Sequence, residues 1–376
     1  TQSLQVEAGQ SQQVDLKDRF NGQSKTAENR RLTIELTSNP IWYAVQALPV
    51  VSNPQQDDAF SWATAYYAQA LAQKIVELNP QIQTVFDSWR KQGMKKETFW
   101  SELEQNPDLK NLLLAETPWL AEAASEQEQR QRIGLLFELN TMKYRMDQAV
   151  TKLKALQKSD GGWSWFGGMQ GSRMVTTQVT ELLARLKFMQ VMSEVRVSDM
   201  YLKALNYLEA AFCEEYRQLK ENESKKNGVQ LPSELAVRYL YIVSLDKAAA
   251  GRVQQAAKEY MVAKLENRSN EYSIYEKALI ARILQAQGKK SQAEVLVHSI
   301  KEYTVATPEM GRYFDTPKAL YAWNGYRIPT QVAAMEAIQL VEKDETMLNE
   351  MKHWLLKQKQ VQCWSTPLAT ADALYA

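Results

Sequence analysis

The chain has 376 residues, 45% hydrophobic and 24% charged, enough apolar material for a sizeable buried core and too little polar bias for a disordered or fibrous protein. Forty-five Lys+Arg against 44 Asp+Glu leave a net charge of +1, which supplies no field to gather nucleic acid or an anionic membrane. The two cysteines, Cys213 and Cys363, allow one bridge at most, exclude a disulfide framework and are too few for a cysteine-based zinc site.

Thr1 to Asp18 hold no basic-then-apolar leader, and no run of about 18 apolar residues appears, so no membrane span is expected. Residues 1–38 alternate polar and apolar (Leu4, Val6; Val14, Leu16; Leu32, Ile34, Leu36), with Gly9, Asn21 and Gly22 as turn makers, the period-2 signature of short strands. So few strands suggest the edge of a larger β domain. The chain also stops at Ala376 inside a helical pattern, as a piece of a longer protein would.

From Asn39-Pro40 onward the pattern turns helical. Helices are expected at 56–78, 80–92, 97–105, 126–157, 174–190, 198–222, 232–245, 248–266, 271–287, 289–303, 330–342, 345–359 and 368–376. Ser198, Thr330 and Asp344 are expected to cap helix starts, and Glu221 to Gly228 reads as an exposed charged turn. Helices joined by short loops pack antiparallel, and a long series of hairpins buries its faces as a closed ring or an open solenoid.

A repeated unit favours the ring. Trp163 follows Gln157 by six residues in "LKALQKSDGGWSWF", and Trp364 follows Gln358 by six in "WLLKQKQVQCWSTPLATADALYA". Each unit ends a leucine-bearing helix, turns through a tryptophan and starts a helix rich in Ala and Thr, small enough for close packing at an inner wall. Weaker echoes occur at Trp62 and at Trp323-Asn324-Gly325. The expected fold is mainly α, an α/α-toroid of antiparallel helical hairpins over 39–376 with a short β fragment at 1–38; an irregular solenoid is the alternative.

Three stretches carry a more specific likeness: "LTIELTSNPIWYAVQALPVV" (Leu32 to Val51), "LAETPWLAEAASEQEQRQRIGLLFELNTM" running into "LKALQKSDGGWSWFGG" (Leu114 to Gly168), and "MKHWLLKQKQVQCWSTPLATADALYA" (Met351 to Ala376). In this order they resemble the thioester-domain region of the bacterial alpha-2-macroglobulins. The resemblance implies a toroid inserted in a CUB-like β domain, to which residues 1–38 would belong. It also implies a periplasmic or cell-envelope, lipid-anchored full-length protein, whose partners are proteases and the neighbouring β domains of the same chain.

Thioester-bearing members carry a cysteine, two residues and a glutamine after the segment that matches "YAVQALP". Here the sequence continues "VVSNPQQDDAFSWATAYYAQALA", and no cysteine occurs from residue 1 to residue 212. The degenerate segment keeps Gln55, Gln56, Asp57, Asp58 and Ser61, but a glutamine without a thiol partner has no activated carbonyl and cannot acylate a target. Asp57 and Asp58 instead suit the cap and first turn of a helix. The family task is thus expected to be a non-covalent endopeptidase inhibitor or protease trap.

No residue pattern supports a catalytic, metal or cofactor assignment. Cys213 sits among acidic residues that raise a thiol pKa, and Cys363 precedes a turn tryptophan. His298 and His353 stand alone on helices. The glycines from Gly161 to Gly171 lack a phosphate-loop Lys-Ser/Thr pair. A toroid that binds or hydrolyses an envelope glycan or peptide is the alternative, with Asp57, Asp58, Asp160, Glu309, Asp315 and Asp372 as candidate carboxylates. Trp163, Trp165 and Phe166 are the candidate aromatic rim for protein docking.

Overall fold

A computed structural model describes residues 45–54, 56–78, 139–192, 195–225, 230–317, 327–359 and 363–376, with a few isolated positions between 11 and 17. The strands expected in 1–38, the helices expected at 80–92 and 97–105, the start of the one expected at 126–157, and Trp323 to Gly325 fall outside the described residues.

The described helices are α1 (Leu48–Val51), α2 (Ala59–Leu78), α3 (Leu139–Leu156), α4 (Arg173–Phe188), α5 (Val195–Ser224), α6 (Glu234–Leu245), α7 (Lys247–Ala250), α8 (Gln255–Asn267), α9 (Ile274–Ala286), α10 (Lys290–Lys301), α11 (Arg327–Val341), α12 (Glu345–Lys357) and α13 (Pro367–Tyr375). They form two concentric layers. In the inner layer α2 packs on α4, α4 on α6, α6 on α9, α9 on α11, α11 on α13, and α13 returns to α2, closing a ring. Helices α3, α5, α8, α10 and α12 lie outside it, each against the inner helices beside it. The chain alternates between the layers, which is the toroid expected from the sequence.

Burial explains which helix goes where. The inner helix α9 buries an almost unbroken run from Ile274 to Leu284, and α11 buries Ala333, Ala334 and Ala337, whose small side chains let neighbours approach closely. The outer helix α10 buries only Ala293, Leu296, Val297 and Ile300, and α12 only Met347, Leu348, Met351, Trp354 and Leu355, a single stripe at helical spacing. An all-round apolar helix has to be enclosed; a striped one can face water.

Ser172, Ser233, Ser273 and Thr366 cap α4, α6, α9 and α13, and Ser273 forms a reciprocal capping box with Glu276. Asp344 caps α12, accepting from the Met347 N–H at 3.1 Å. Two expected caps are corrected. Ser198 lies inside α5, which starts at Val195, and Thr330 is buried within the first turn of α11. The helix expected at 248–266 is two helices, α7 and α8, broken after Ala250 where Gly251 carries a large helix penalty.

The sequence pattern does not anticipate one hairpin: β1 (Thr304–Thr307) pairs antiparallel with β2 (Gly311–Phe314), in register from Thr304 opposite Phe314 to Thr307 opposite Gly311. The Gln331 amide holds it against α11 and α12, donating to the carbonyls of Arg312 at 2.8 Å and Met351 at 3.3 Å.

Candidate functional site

Six inner helices project side chains towards one axis, so the first place to look for chemistry is the ring centre. It holds a buried polar cluster. On α4, Glu181 and Arg185 are one turn apart and ion-paired at 2.8 Å. Arg238 of α6 reaches the same Glu181 carboxylate at 2.9 Å through Nε and 2.6 Å through Nη2, and donates to Gln178 Oε1 at 2.6 Å. Arg185 also pairs with Asp372 of α13 and donates from Nε to the Tyr241 hydroxyl at 3.3 Å. Its guanidinium lies over the Tyr375 ring, 4.6 Å from the centroid. Glu336 of α11 accepts from Arg282 of α9 at 2.9 Å, from the Tyr241 hydroxyl at 2.7 Å and from the Tyr375 hydroxyl at 2.6 Å.

These charges share a medium in which water is scarce. Burial alone would raise the Glu181 carboxyl, but Arg238 and Arg185 hold it below its ordinary value. Burial raises the Asp372 carboxyl, against the pull of Arg185 and with Glu181 adding to the rise. Burial also drives the Tyr241 phenol well above its usual range. Every carboxylate in the cluster is already bound to guanidinium or phenol donors. A buried ion pair of this kind costs desolvation about as large as its attraction, yet losing one partner strands a charge. The chemistry is that of a tie between helices.

Sequence reasoning missed this cluster. Its signals were single charges inside otherwise apolar helices: Glu181 and Arg185 in "TELLARL", Arg238 in "ELAVRYLYIV", Arg282 in "ALIARIL", Glu336 in "MEAIQ". Asp372, a candidate carboxylate for the hydrolase alternative, is buried within α13.

The residues singled out from the sequence lie elsewhere, at the start of α2. Gln55 is outside the described residues and Gln56 is exposed. Asp57 accepts from Lys152 at 2.9 Å and from the Trp62 indole at 2.6 Å, and hydrogen bonds from Lys152 and then Trp62 lower its pKa. Asp58 caps α2: its Oδ1 accepts from the N–H groups of Phe60 at 2.8 Å and Ser61 at 3.0 Å, and its Oδ2 from the Ser61 hydroxyl at 2.7 Å. Two of the sequence-derived groups meet here. The Ala59 N–H donates to the Trp165 carbonyl at 3.0 Å, the Trp165 ring meets Phe60 edge-on at 5.1 Å, and Phe166 stacks on Trp165 at 6.3 Å.

The aromatic rim needs one correction. Trp163 is fully buried, while Trp165 is half-buried and Phe166 is 39% exposed. The Trp163 indole donates to the Leu153 carbonyl at 3.0 Å, which makes it the pin of a turn and takes it out of any docking face. Met169 and Met174, a few residues further along the chain, are exposed as Phe166 is.

The Cys213 thiol is not activated. Cys213 donates towards Glu209 at 3.3 Å and Gln254 at 3.2 Å, and burial with Glu209 pushes its pKa up to about 11. His298 lies beside Glu302 at 3.6 Å, and burial followed by Lys357 lowers the pKa of His353. Asp160 accepts from the Gly162 N–H at 2.9 Å, a local turn contact. Among the described residues no three His, Cys, Asp or Glu side chains are grouped to hold a metal, and no helix is long and apolar enough to cross a membrane.

No family model matches the sequence, and no curated protein matches it. Among solved structures, the native conformation of E. coli alpha-2-macroglobulin aligns with 89% of this chain at a TM-score of 0.45 and 9% identity. The chain spans 16% of the length of that protein.

Proposed function

We propose that this chain is a structural and docking module of an alpha-2-macroglobulin-like cell-envelope protein that inhibits or traps endopeptidases without a covalent thioester. The observation that carries the reading is the start of α2. The segment where the resembling family places its thiol and glutamine is here a capped helix start, with Asp58 satisfying two backbone N–H groups and no cysteine before residue 213. The closed ring supports a non-enzymatic role, because the acids at its centre are committed to guanidinium and phenol partners and leave none poised as an acid–base pair. Trp165, Phe166, Met169 and Met174 are the docking side of the module.

The full-length protein, treated with an endopeptidase, is expected to change shape after cleavage and to shield the protease from large substrates while small ones are still hydrolysed. Unhindered digestion of large substrates sinks the trap. Methylamine incorporation within residues 50–62 would show that an acyl-activated residue exists after all.

A further inference from the structure

The hairpin β1–β2 rests on one face of α12, where Glu350, His353, Trp354 and Lys357 recur at the spacing of a single helix face. Three of the four hold the hairpin. Glu350 accepts from Arg312 Nε at 2.6 Å, Trp354 stacks with Tyr313 at 5.9 Å, and Lys357 donates to the Glu309 carbonyl at the turn. His353 lies in the middle of these contacts, and the backbone of β2 comes down on it. A Cβ at Gly311, where φ is +74°, would stand 3.2 Å from the His353 Cβ and overlap the Glu350 carbonyl. Beneath this cover His353 Nε2 is buried with no hydrogen-bond partner among the described residues.

A neutral imidazole tolerates such a position, because one of its nitrogens is a bare lone pair; an imidazolium donates from both and brings a charge. The neighbouring charges oppose that charge. Lys357 is one turn away on the same face, the hairpin contributes Arg312, and Arg327 of α11 lies over the Trp354 ring at 5.9 Å. The carboxylates closest to them are bound to cations: Glu350 to Arg312, and Glu342 and Asp344, between α11 and α12, to Lys301 of α10 at 2.7 Å and 3.0 Å. Lys352 is exposed, as are Glu309 at the turn and Asp315 at the end of the hairpin. Burial, and after it Lys357, hold the His353 imidazole below its ordinary value.

We propose that His353 is an acid-sensitive release for the hairpin, whose protonation lifts β1 and β2 off α12 and uncovers the Trp354 ring. A histidine kept neutral by the closed form favours closure above its ordinary value of about 6.5. That contribution is lost as the pH falls below it, because the open form takes up the proton first. The release rests on α12 and the hairpin alone and stands or falls independently of the protease-trap reading.

Hydrogen exchange of the chain, corrected for the intrinsic pH dependence of exchange, reads the hairpin directly. Protection of the amides in 304–314 is expected to fall about tenfold between pH 7.5 and about pH 5.5, the rise in open population when the closed form excludes the proton. The amides of α9 should show no comparable fall. His353→Gln keeps a polar side chain that does not titrate in this range and should equalise hairpin protection at the two pH values. His298→Gln removes the other histidine of the chain, 77% exposed beside Glu302, and should leave the tenfold fall in place. A hairpin equally protected at both pH values in the unaltered chain overturns the proposal. So does a fall of the same size in α9, one that survives His353→Gln, or one that is lost in His298→Gln.

Discussion

The two tryptophan turns are built on one plan and differ in the length of chain that each carries. In the first, the Trp163 indole donates to the Leu153 carbonyl at the end of α3, and its backbone N–H donates at 2.8 Å to Thr176 Oγ1 in the first turn of α4. In the second, the Trp364 indole donates to the Leu355 carbonyl at the end of α12, and its N–H donates at 3.2 Å to Thr370 Oγ1 in the first turn of α13. Each threonine then donates back to the carbonyl of its helix's cap residue, Ser172 or Thr366. The tryptophan is thus a rivet between an outer helix and the next inner one. The separation from tryptophan to threonine differs, 13 residues against six, and the longer first connection carries Trp165, Phe166 and Met169. The rivet is the common structural part; the extra residues are where surface chemistry could be added without disturbing it.

If both tryptophans are rivets, Trp163→Ala and Trp364→Ala should each destabilise the fold by about 3–5 kcal/mol, measured by urea unfolding. Both rings are almost completely buried and both indoles are satisfied. A large loss at one turn with a small loss at the other would break the equivalence.

The first turn has a second anchor with no counterpart among the described residues of the other. Gln157 Nε2 donates to the Met200 carbonyl of α5 at 2.8 Å, and Gly161, at φ +93°, lies so close to the Lys203 carbonyl that a Cβ there would overlap backbone. Gly161→Ala is therefore expected to cost about 1–3 kcal/mol from left-handed strain, with the collision adding to it. A near-neutral effect in thermal melts would mean that α5 moves aside and is not part of the rivet.

The threonine contacts come next. Thr176→Val and Thr370→Val leave the volume nearly unchanged but strand a buried tryptophan N–H, at about 1–3 kcal/mol each. Because the second bond is longer, 3.2 Å against 2.8 Å, the loss at Thr370 should be the smaller of the two. Equal losses would show that the difference in length carries no energy.

The same comparison explains what could be read from the sequence. The rivets were legible because their parts are local: glutamine to tryptophan is six residues in both, followed by a Thr-bearing helix start. The layers were legible too, since α10 and α12 carry a single stripe at 3.6-residue spacing. The ring centre was not. Arg185 meets Asp372 across 187 residues of chain, and Glu181 meets Arg238 across 57, so each charge looks like an isolated polar residue in an apolar helix. Glu181 and Arg185 pair locally, one turn apart, but only closure of the ring brings Asp372 to Arg185. The hairpin at 304–314 escapes notice because its strands are four residues long, at the lower limit of length where alternation separates a strand from a loop. Trp163 reads as a surface residue for a related reason: aromatic residues at adjacent turn positions look alike in sequence, and Trp163 alone is held by an indole bond back to α3.

The smallest expected change in stability is the one that tests the surface reading. Phe166 is 39% exposed and stacks on Trp165, which in turn packs against Phe60 at the start of α2. A side chain added at Gly167 or Gly168 beside it would meet nothing within 4 Å of its Cβ, so the tip of this connection stands clear of the ring. Phe166→Ser should thus change unfolding free energy by no more than about 0.5 kcal/mol. In the full-length protein the same substitution should weaken protease shielding, because docking faces lose most when an aromatic anchor is removed. A stability loss close to that of Trp163→Ala would place Phe166 in the core; unchanged shielding with unchanged stability would move the docking face away from this connection. The two measurements together separate a rivet from a contact surface.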